Sequence, residues 1–309
     1  MKKALPVIAG SVAVTGLILK EIVLHETFQM ITGKKNSILG KKLFNRSDKR
    51  VPSEEEKWLL NQESETVSIT SFDGLKLVGH YLPAKSKTPK RILLMMHGWR
   101  GTWAKDFGIM AKHLHERDCD LLIIEERAQG ESEGRYMGFG ILESRDCLRW
   151  LAYLRQRNKD KLPVYLAGVS MGASTVLMAS GRGLPYAVKG IIADCGFTSP
   201  YEIIIHVSQR CGRKLPRLIK MVDRRCSLIA KYRFNDFSAV EAVKKCQVPV
   251  FFAHGMKDTF VPYYMTLENY EACRSRKTLY LVEDANHFEC FGKNPYKYME
   301  RMWNFFGWD

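Results

Sequence analysis

Two serines in this chain sit inside a Gly-x-Ser-x-Gly pentad: Ser132 in GESEG, from Gly130 to Gly134, and Ser170 in GVSMG, from Gly168 to Gly172. A hydrolase needs one nucleophile, so the surroundings must choose between them. A reactive serine has to be lifted on a tight strand-to-helix turn, with small neighbours that allow close backbone approach. The next residue's N–H must then face the developing oxyanion. GVSMG follows the apolar run PVYLA and precedes ASTVLMAS, a credible helix whose N-terminus favours negative charge. GESEG stands beyond DLLIIEE with RAQ between, and RYMGFG after it reads as a loop. Glu131 and Glu133 would also surround Ser132 with negative charge where an anion must form. Ser170 is the expected nucleophile, and Ser132 the decoy.

A serine hydroxyl needs a histidine to take its proton, and the histidine needs a carboxylate to fix its tautomer. Both follow Ser170 in the order serine, acid, histidine. Asp258 lies in MKDTFVP after VPVFFAHG, and His287 lies in ANHF after TLYLVED. An aspartate at a strand end can instead cap a helix, and Asp194, at the end of GIIAD, is the rival acid. His97 and His254 stand beside glycines at strand ends and are read as shaping the backbone, and His113 falls on a helix. Acyl transfer also needs two oxyanion donors. The N–H of Met171 is one, and HGWRG, from His97 to Gly101, offers the N–H of Trp99 as the other. Trp103 is read as a core aromatic. This chemistry requires neither a metal nor an organic cofactor.

These residues are positioned by an α/β pattern that begins near Glu65. TVSITSF alternates up to Asp73-Gly74 and LKLVGHYL returns, a hairpin signal. RILLMMHG, DLLIIEE, KLPVYLAG, VKGIIAD, VPVFFAHG and TLYLVED read as strands, most of them continuous apolar runs of the buried kind. Helical stretches separate several of them, including MAKHLHER and ILESRDCLRWLAYLRQR. The alternation predicts a mostly parallel sheet with helices on both faces. The rhythm breaks between about 197 and 243, which reads as a small helical cap inserted over the carboxyl edge of the sheet, where active sites of such sheets lie.

The 309 residues carry a formal charge of +15. Much of it gathers near the cap, in Arg210, Arg213, Lys214, Arg217, Lys220, Arg224, Arg225, Lys231 and Arg233. No nucleic-acid module accompanies them, so a solvated or membrane-facing surface is expected and nucleic acid is not a partner. The eight cysteines show neither C-x-x-C nor zinc-finger spacing, which favours buried thiols over a disulfide framework and weakly favours a reducing compartment. After Lys2 and Lys3, Ala4 to Leu19 is uncharged and mostly apolar. A bilayer core wants about 20 such residues, and Ile22, Val23 and Leu24 extend the run. Residues 1–30 are therefore read as an uncleaved membrane anchor of undetermined orientation, against the alternatives of a hydrophobic helix packed on the body and a cytoplasmic protein. Residues 31–64 are read as a linker, and 65–309 as the catalytic domain.

Taken together, HGW, ERAQGES, GVSMG, HGMKDTFVP and ANH resemble the α/β-hydrolase superfamily over roughly Thr66 to Phe306. Within it the chain looks like the branch of serine aminopeptidase-like and cinnamoyl-esterase-like hydrolases and membrane-anchored acyl hydrolases. The resemblance implies the α/β-hydrolase fold, a Ser170–Asp258–His287 triad, an oxyanion hole from Trp99 and Met171, and a helical cap. It also accounts for the decoy: relatives often carry Asp-x-Arg-Gly-x-Gly-x-Ser at this loop, and ERAQGES is this chain's structural version, with Glu126 in place of the aspartate. The expected activity is cleavage of a carboxylic ester or thioester of a small, lipid-like acyl compound. The alternatives are an aminopeptidase, for which Glu202 is the one acid in the cap suited to a substrate amine, and an inactive membrane-tethered binding protein. Oligomeric state is open.

Overall fold

The computed structural model describes residues 4–34, 51–86, 88–210 and 216–308, and side chains from residue 18 onward. An eight-stranded sheet runs in the order β1-β2-β4-β3-β5-β6-β7-β8. Its strands are β1 (Glu65–Thr70), β2 (Lys76–Leu82), β3 (Arg91–Met96), β4 (Cys119–Ile124), β5 (Val164–Val169), β6 (Val188–Asp194), β7 (Val250–Gly255) and β8 (Lys277–Val282). The β1–β2 hairpin expected at Asp73-Gly74 forms, with Glu65 opposite Tyr81. β2 is also antiparallel to β4, and every pairing from β4 through β8 is parallel.

Helices cover both faces, which is why the central strands are apolar without alternation. In β3, Ile92, Leu94 and Met96 enter one core while Leu93 and Met95 enter the other. The second core is closed by α2 (Glu54–Leu60), α3 (Trp103–His115) and the helix over Pro295–Phe306, through Leu59, Phe107 and Tyr298. The first is closed by α1 (Ala4–Thr32), α4 (Glu143–Arg157) and α5 (Met171–Ser180), through Phe28, Trp150 and Val176.

One sequence expectation about the N-terminal region changes. Among the described residues no helix is long and apolar enough to cross a membrane, so the anchor over 1–30 is not supported. Most of the apolar run on which that expectation rests lies outside the side chains described, and the later half of α1 turns Leu24, Phe28 and Ile31 into the first core. The 31–64 segment, of which 35–50 lie outside the described residues, contains α2. Ser53 caps that helix by accepting the N–H of Glu56 at 3.2 Å, and Leu59 is fully buried.

Between β6 and β7 come α6 (Pro200–Arg210), α7 (Pro216–Arg225), a π-helical turn (Cys226–Ala230) and α8 (Ala239–Val243). Ile203, Ile204, Ile219, Val222 and Phe234 continue the first core into this region. Arg225 pairs with Glu21 of α1 at 2.9 Å, and Arg213 and Lys214 lie outside the described residues. The cysteines Cys119, Cys147, Cys195, Cys226, Cys246, Cys273 and Cys290 are buried free thiols.

The strand order sets the site. From β3 the chain crosses to β4 on one side and then returns through α4 to β5 on the other, so β3 and β5 are neighbours whose connections leave in opposite directions. A crevice opens at the carboxyl ends of two such strands. The loops leaving them are HGWRG and GVSMG.

Candidate active site

Ser170 stands between β5 and α5 with φ 54° and ψ −117°, a conformation most side chains avoid. Two glycines permit it. A Cβ on Gly168 would come within 2.2 Å of the carbonyl oxygen of Gly172, and one on Gly172 within 1.9 Å of that of Met96. The turn is held by the Ser170 N–H donating to the Asp194 carbonyl at 2.8 Å. Its hydroxyl is thereby set at the N-terminus of α5, with the N–H of Met171 next in line.

From Ser170 a continuous chain of hydrogen bonds runs into the protein. Its Oγ lies 3.0 Å from His287 Nε2, and His287 Nδ1 lies 2.6 Å from Asp258 Oδ2. A carboxylate only accepts, so Nδ1 carries the proton and Nε2 is left to accept from the serine. Asp258 has no exposed side-chain surface and four partners. Its Oδ1 accepts from the N–H of Phe260 at 2.8 Å and of Val261 at 2.9 Å, and its Oδ2 also meets His254 Nε2 at 3.1 Å. Burial on its own would raise this carboxyl, but the hydrogen bonds from His254 and His287 outweigh it and hold the group down at about 2. Asp258 is therefore an anion at neutral pH, able to stabilise a neighbouring imidazolium.

His254 is the participant that sequence reasoning missed. Its place beside a glycine at a strand end suggests a backbone-shaping residue, yet its buried ring touches Asp258 directly. Nε2 faces two acceptors, Asp258 Oδ2 and the Val261 carbonyl at 2.8 Å, so it must be protonated. Nδ1 is fixed by Thr266 Oγ1 at 2.7 Å. A histidine four residues before the acid, at the end of the same strand, was the available signal.

Each remaining candidate has a definite place. Asp194 is buried at the end of β6, and burial raises its carboxyl above the usual range; the acid bonded to His287 is Asp258. His97 is buried, accepts the N–H of Glu126 at Nε2 (3.1 Å) and contacts the Gly98 carbonyl through Nδ1 (2.9 Å). Burial also lowers its pKa, so it is a neutral brace. His113 packs against Phe291 and Tyr296 on α3. Trp103 stacks on His80 at 4.0 Å.

Ser132 is fully buried and knits its loop to β2. Its Oγ donates to the Glu125 carbonyl at 2.6 Å and accepts the Val78 N–H at 2.9 Å. In the same loop Arg127 bonds Asp146 at 2.6 Å and Asp73 at 3.0 Å, tying it to α4 and the β1–β2 turn.

The HGWRG loop passes beside the serine. A Cβ on Gly98 would lie 3.3 Å from Ser170 Cβ. The loop closes as a turn, with the Gly101 N–H on the Gly98 carbonyl at 3.0 Å and the Gly98 N–H on Asp106 Oδ2 at 2.9 Å. Among the described residues, one group has metal-ligand types close together: Cys195, Asp258 and His287, with ligand atoms within 4.8 Å of one another. Asp258 and His287 are already bonded to each other, and burial drives the Cys195 thiol well above its ordinary pKa, which makes it a poor ligand.

With that geometry in hand, comparison with known proteins gives the class. Residues 91–226 match a family model described as the alpha/beta hydrolase fold. The chain is 27% identical over 239 residues to the uncharacterized protein YqkD of Bacillus subtilis, covering 77% of each. It is 26% identical over 259 residues to the uncharacterized protein YfhR of Salmonella typhi, covering 79% of this chain and 81% of that one. Among solved structures it is similar to the esterase Pf2001 of Pyrococcus furiosus, with TM-score 0.64 and 20% identity over 84% of this chain and 98% of the other. It is also similar to the acylaminoacyl peptidase of Pyrococcus horikoshii, with TM-score 0.58 and 14% identity over 82% of this chain and 43% of that one. This chain has the α/β-hydrolase fold.

Proposed function

We propose that this protein is a hydrolase that cleaves a carboxylic ester or thioester through an acyl-enzyme. Ser170 attacks the carbonyl carbon while His287 Nε2 takes the hydroxyl proton. Asp258 keeps His287 in the required tautomer and stabilises the imidazolium. The N–H groups of Met171 and Trp99 hold the oxyanion, a contribution of about 3 kcal/mol for one such donor in comparable enzymes. His287 then returns the proton to the leaving alcohol or thiol. Water repeats the sequence on the acyl-enzyme and regenerates Ser170. The segment about 197–243 serves as the cap over the acyl pocket. No step calls for a metal or an organic cofactor.

One observation carries this reading: the unbroken Ser170–His287–Asp258 path at 3.0 and 2.6 Å, with the acid charged at neutral pH. An inactive binding protein has no use for an ionised, four-bonded acid behind a histidine poised on a strained serine. The ester is favoured over the aminopeptidase substrate because Glu202, the acid in the cap suited to a substrate amine, is exposed and bonded to Thr198. A small-molecule acyl substrate fits a site reached between loops.

The test is a panel of p-nitrophenyl esters from two to twelve carbons set beside aminoacyl p-nitroanilides. Turnover of the esters with kcat/KM at least about tenfold above the anilides is expected. Faster turnover of the anilides would replace the esterase reading with the peptidase one, and no turnover of either by folded protein would overturn both.

A further inference from the structure

The HGWRG loop is held from two sides, and the second side is unexpected. Asp106 of α3 holds the Gly98 N–H, as described above. From the opposite direction comes the carboxyl-terminal turn of α1, some seventy residues earlier in the chain. Trp99 donates its indole N–H to the Ile31 carbonyl at 3.0 Å. Arg100 Nη2 reaches the carbonyls of Gly33 at 2.7 Å, Gln29 at 3.1 Å and Met30 at 3.3 Å. The last turn of a helix carries the negative end of its dipole, so a guanidinium is well matched to the carbonyls of Gln29 and Met30 there. The guanidinium also lies 5.1 Å from the centre of the Trp99 ring.

Arg100 has φ 54°, a left-handed conformation that costs a non-glycine residue energy and persists where surroundings impose it. The α1 turn is itself anchored. Thr32 accepts the Met137 N–H at 2.7 Å through its carbonyl, Lys34 donates its backbone N–H to Arg135 at 2.9 Å, and Lys34 Nζ reaches the Ser132 carbonyl at 2.7 Å. Phe28 packs on Tyr136 with ring centres 5.0 Å apart. The side chains of two consecutive residues, Trp99 and Arg100, are thus pinned to one fixed helix end. The peptide N–H of Trp99 lies between the two anchored glycine and arginine positions.

We infer that the last turn of α1, gripped by Arg100 and the Trp99 indole, is a positioning device for the oxyanion donor at Trp99. This rests on the reading of the Trp99 N–H as that donor. The N-terminal helix is then part of the catalytic apparatus: its carboxyl end fixes the angle at which the donor meets the oxyanion. Arg100 touches no reacting atom and acts through Trp99.

The experiment uses the full chain with Arg100→Met, Arg100→Lys and Trp99→Phe, the last of which keeps the backbone N–H and loses only the indole bond. The readouts are kcat and KM on a p-nitrophenyl ester, the pH–rate profile, and the thermal midpoint. Loss of one oxyanion donor costs about 10²–10³-fold in kcat, and a misaimed donor less, so Arg100→Met should lose about 10–100-fold and Trp99→Phe about 5–20-fold. KM should stay within about threefold and the inflections of the pH profile should not move, because His287 and Asp258 are untouched. Arg100→Lys should recover part of the loss, since an ammonium reaches fewer of the three carbonyls. If Arg100→Met does not fold, Trp99→Phe decides alone. Values of kcat within twofold of wild type in the folded variants would overturn the inference, as would a loss confined to KM. Absence of ester turnover in the wild type would defeat the esterase reading itself, whereas active wild type with unaffected variants defeats only the clamp.

Discussion

Replacing Asp258 by asparagine changes one atom type and should remove almost all activity. The four bonds to the carboxylate dictate the outcome. Two backbone N–H groups, of Phe260 and Val261, point at Oδ1, so the amide oxygen of an asparagine must take that position. Its NH₂ is then forced toward His287 Nδ1 and His254 Nε2, where Oδ2 stood. A donor facing His287 Nδ1 reverses the tautomer: Nδ1 becomes the acceptor and Nε2 carries the proton toward Ser170. The base can no longer take the serine proton, and the anion that would stabilise an imidazolium is gone. The equivalent change in a serine protease lowers kcat about 10⁴-fold, or about 5 kcal/mol of transition-state stabilisation, and the same magnitude is expected here. The assay is kcat on a p-nitrophenyl ester, with circular dichroism and urea unfolding to establish that the variant is folded. Asp194→Asn, measured in parallel, should lose far less. A folded Asp258→Asn retaining more than about a tenth of wild-type kcat, or an Asp194→Asn that is the worse of the two, would refute the reasoning.

The depressed pKa of Asp258 also predicts a pH dependence of stability. Its folded value of about 2 lies below the unfolded value of 3.8, so its contribution is complete above about pH 4 and disappears as pH falls through about 2. The shift corresponds to about 2 kcal/mol, and urea titrations at pH 6 and pH 3 should show a smaller difference for Asp258→Asn than for wild type. Ser132→Ala should leave ester turnover within about twofold but cost about 1–3 kcal/mol in urea unfolding, because the buried Val78 N–H and Glu125 carbonyl lose their partner. Equal stability would remove the structural role given to that serine. Gly172→Ala should cost at least about 3 kcal/mol or prevent folding, since its Cβ would stand 1.9 Å from a backbone oxygen that cannot move alone. A stable, active Gly172→Ala protein would mean that the turn is looser than described.

Much of this architecture can be read from residue order because the local signals agree with the global fold. Continuous apolar runs such as RILLMM and DLLII identify strands buried on both faces, and the helical spacing of Leu148, Leu151 and Leu154 marks α4, in which Leu151 and Leu154 are buried and Leu148 is half-buried. Ser170 and Ser132 share a pentad, but only one has a strand before it and a helix after it, and that difference is visible in the sequence. What is not visible is contact between distant segments. A short apolar run beginning at Ala4 looks alike in sequence whether it meets lipid or a protein core, because both environments exclude water. Only the fold shows that Leu24, Phe28 and Ile31 meet the sheet side of the molecule and that the Ile31 carbonyl meets Trp99. α2 has a local start signal in Ser53 and Glu56, an S-x-x-E pattern, but only seven residues, too few for apolar periodicity to show. The role of His254 is not legible locally, because its bond to Asp258 depends on how the loop after β7 folds back, through the Val261 carbonyl and N–H.

The central claim is that Ser170 is a nucleophile activated by its neighbours, and a fluorophosphonate tests it most directly. After incubation of the folded wild-type protein with the probe, peptide mass spectrometry should locate one stoichiometric adduct on Ser170, absent from Ser170→Ala and preserved in Ser132→Ala. An adduct on Ser132, or a folded wild-type protein that stays unmodified at probe concentrations that label other serine hydrolases, would contradict the account.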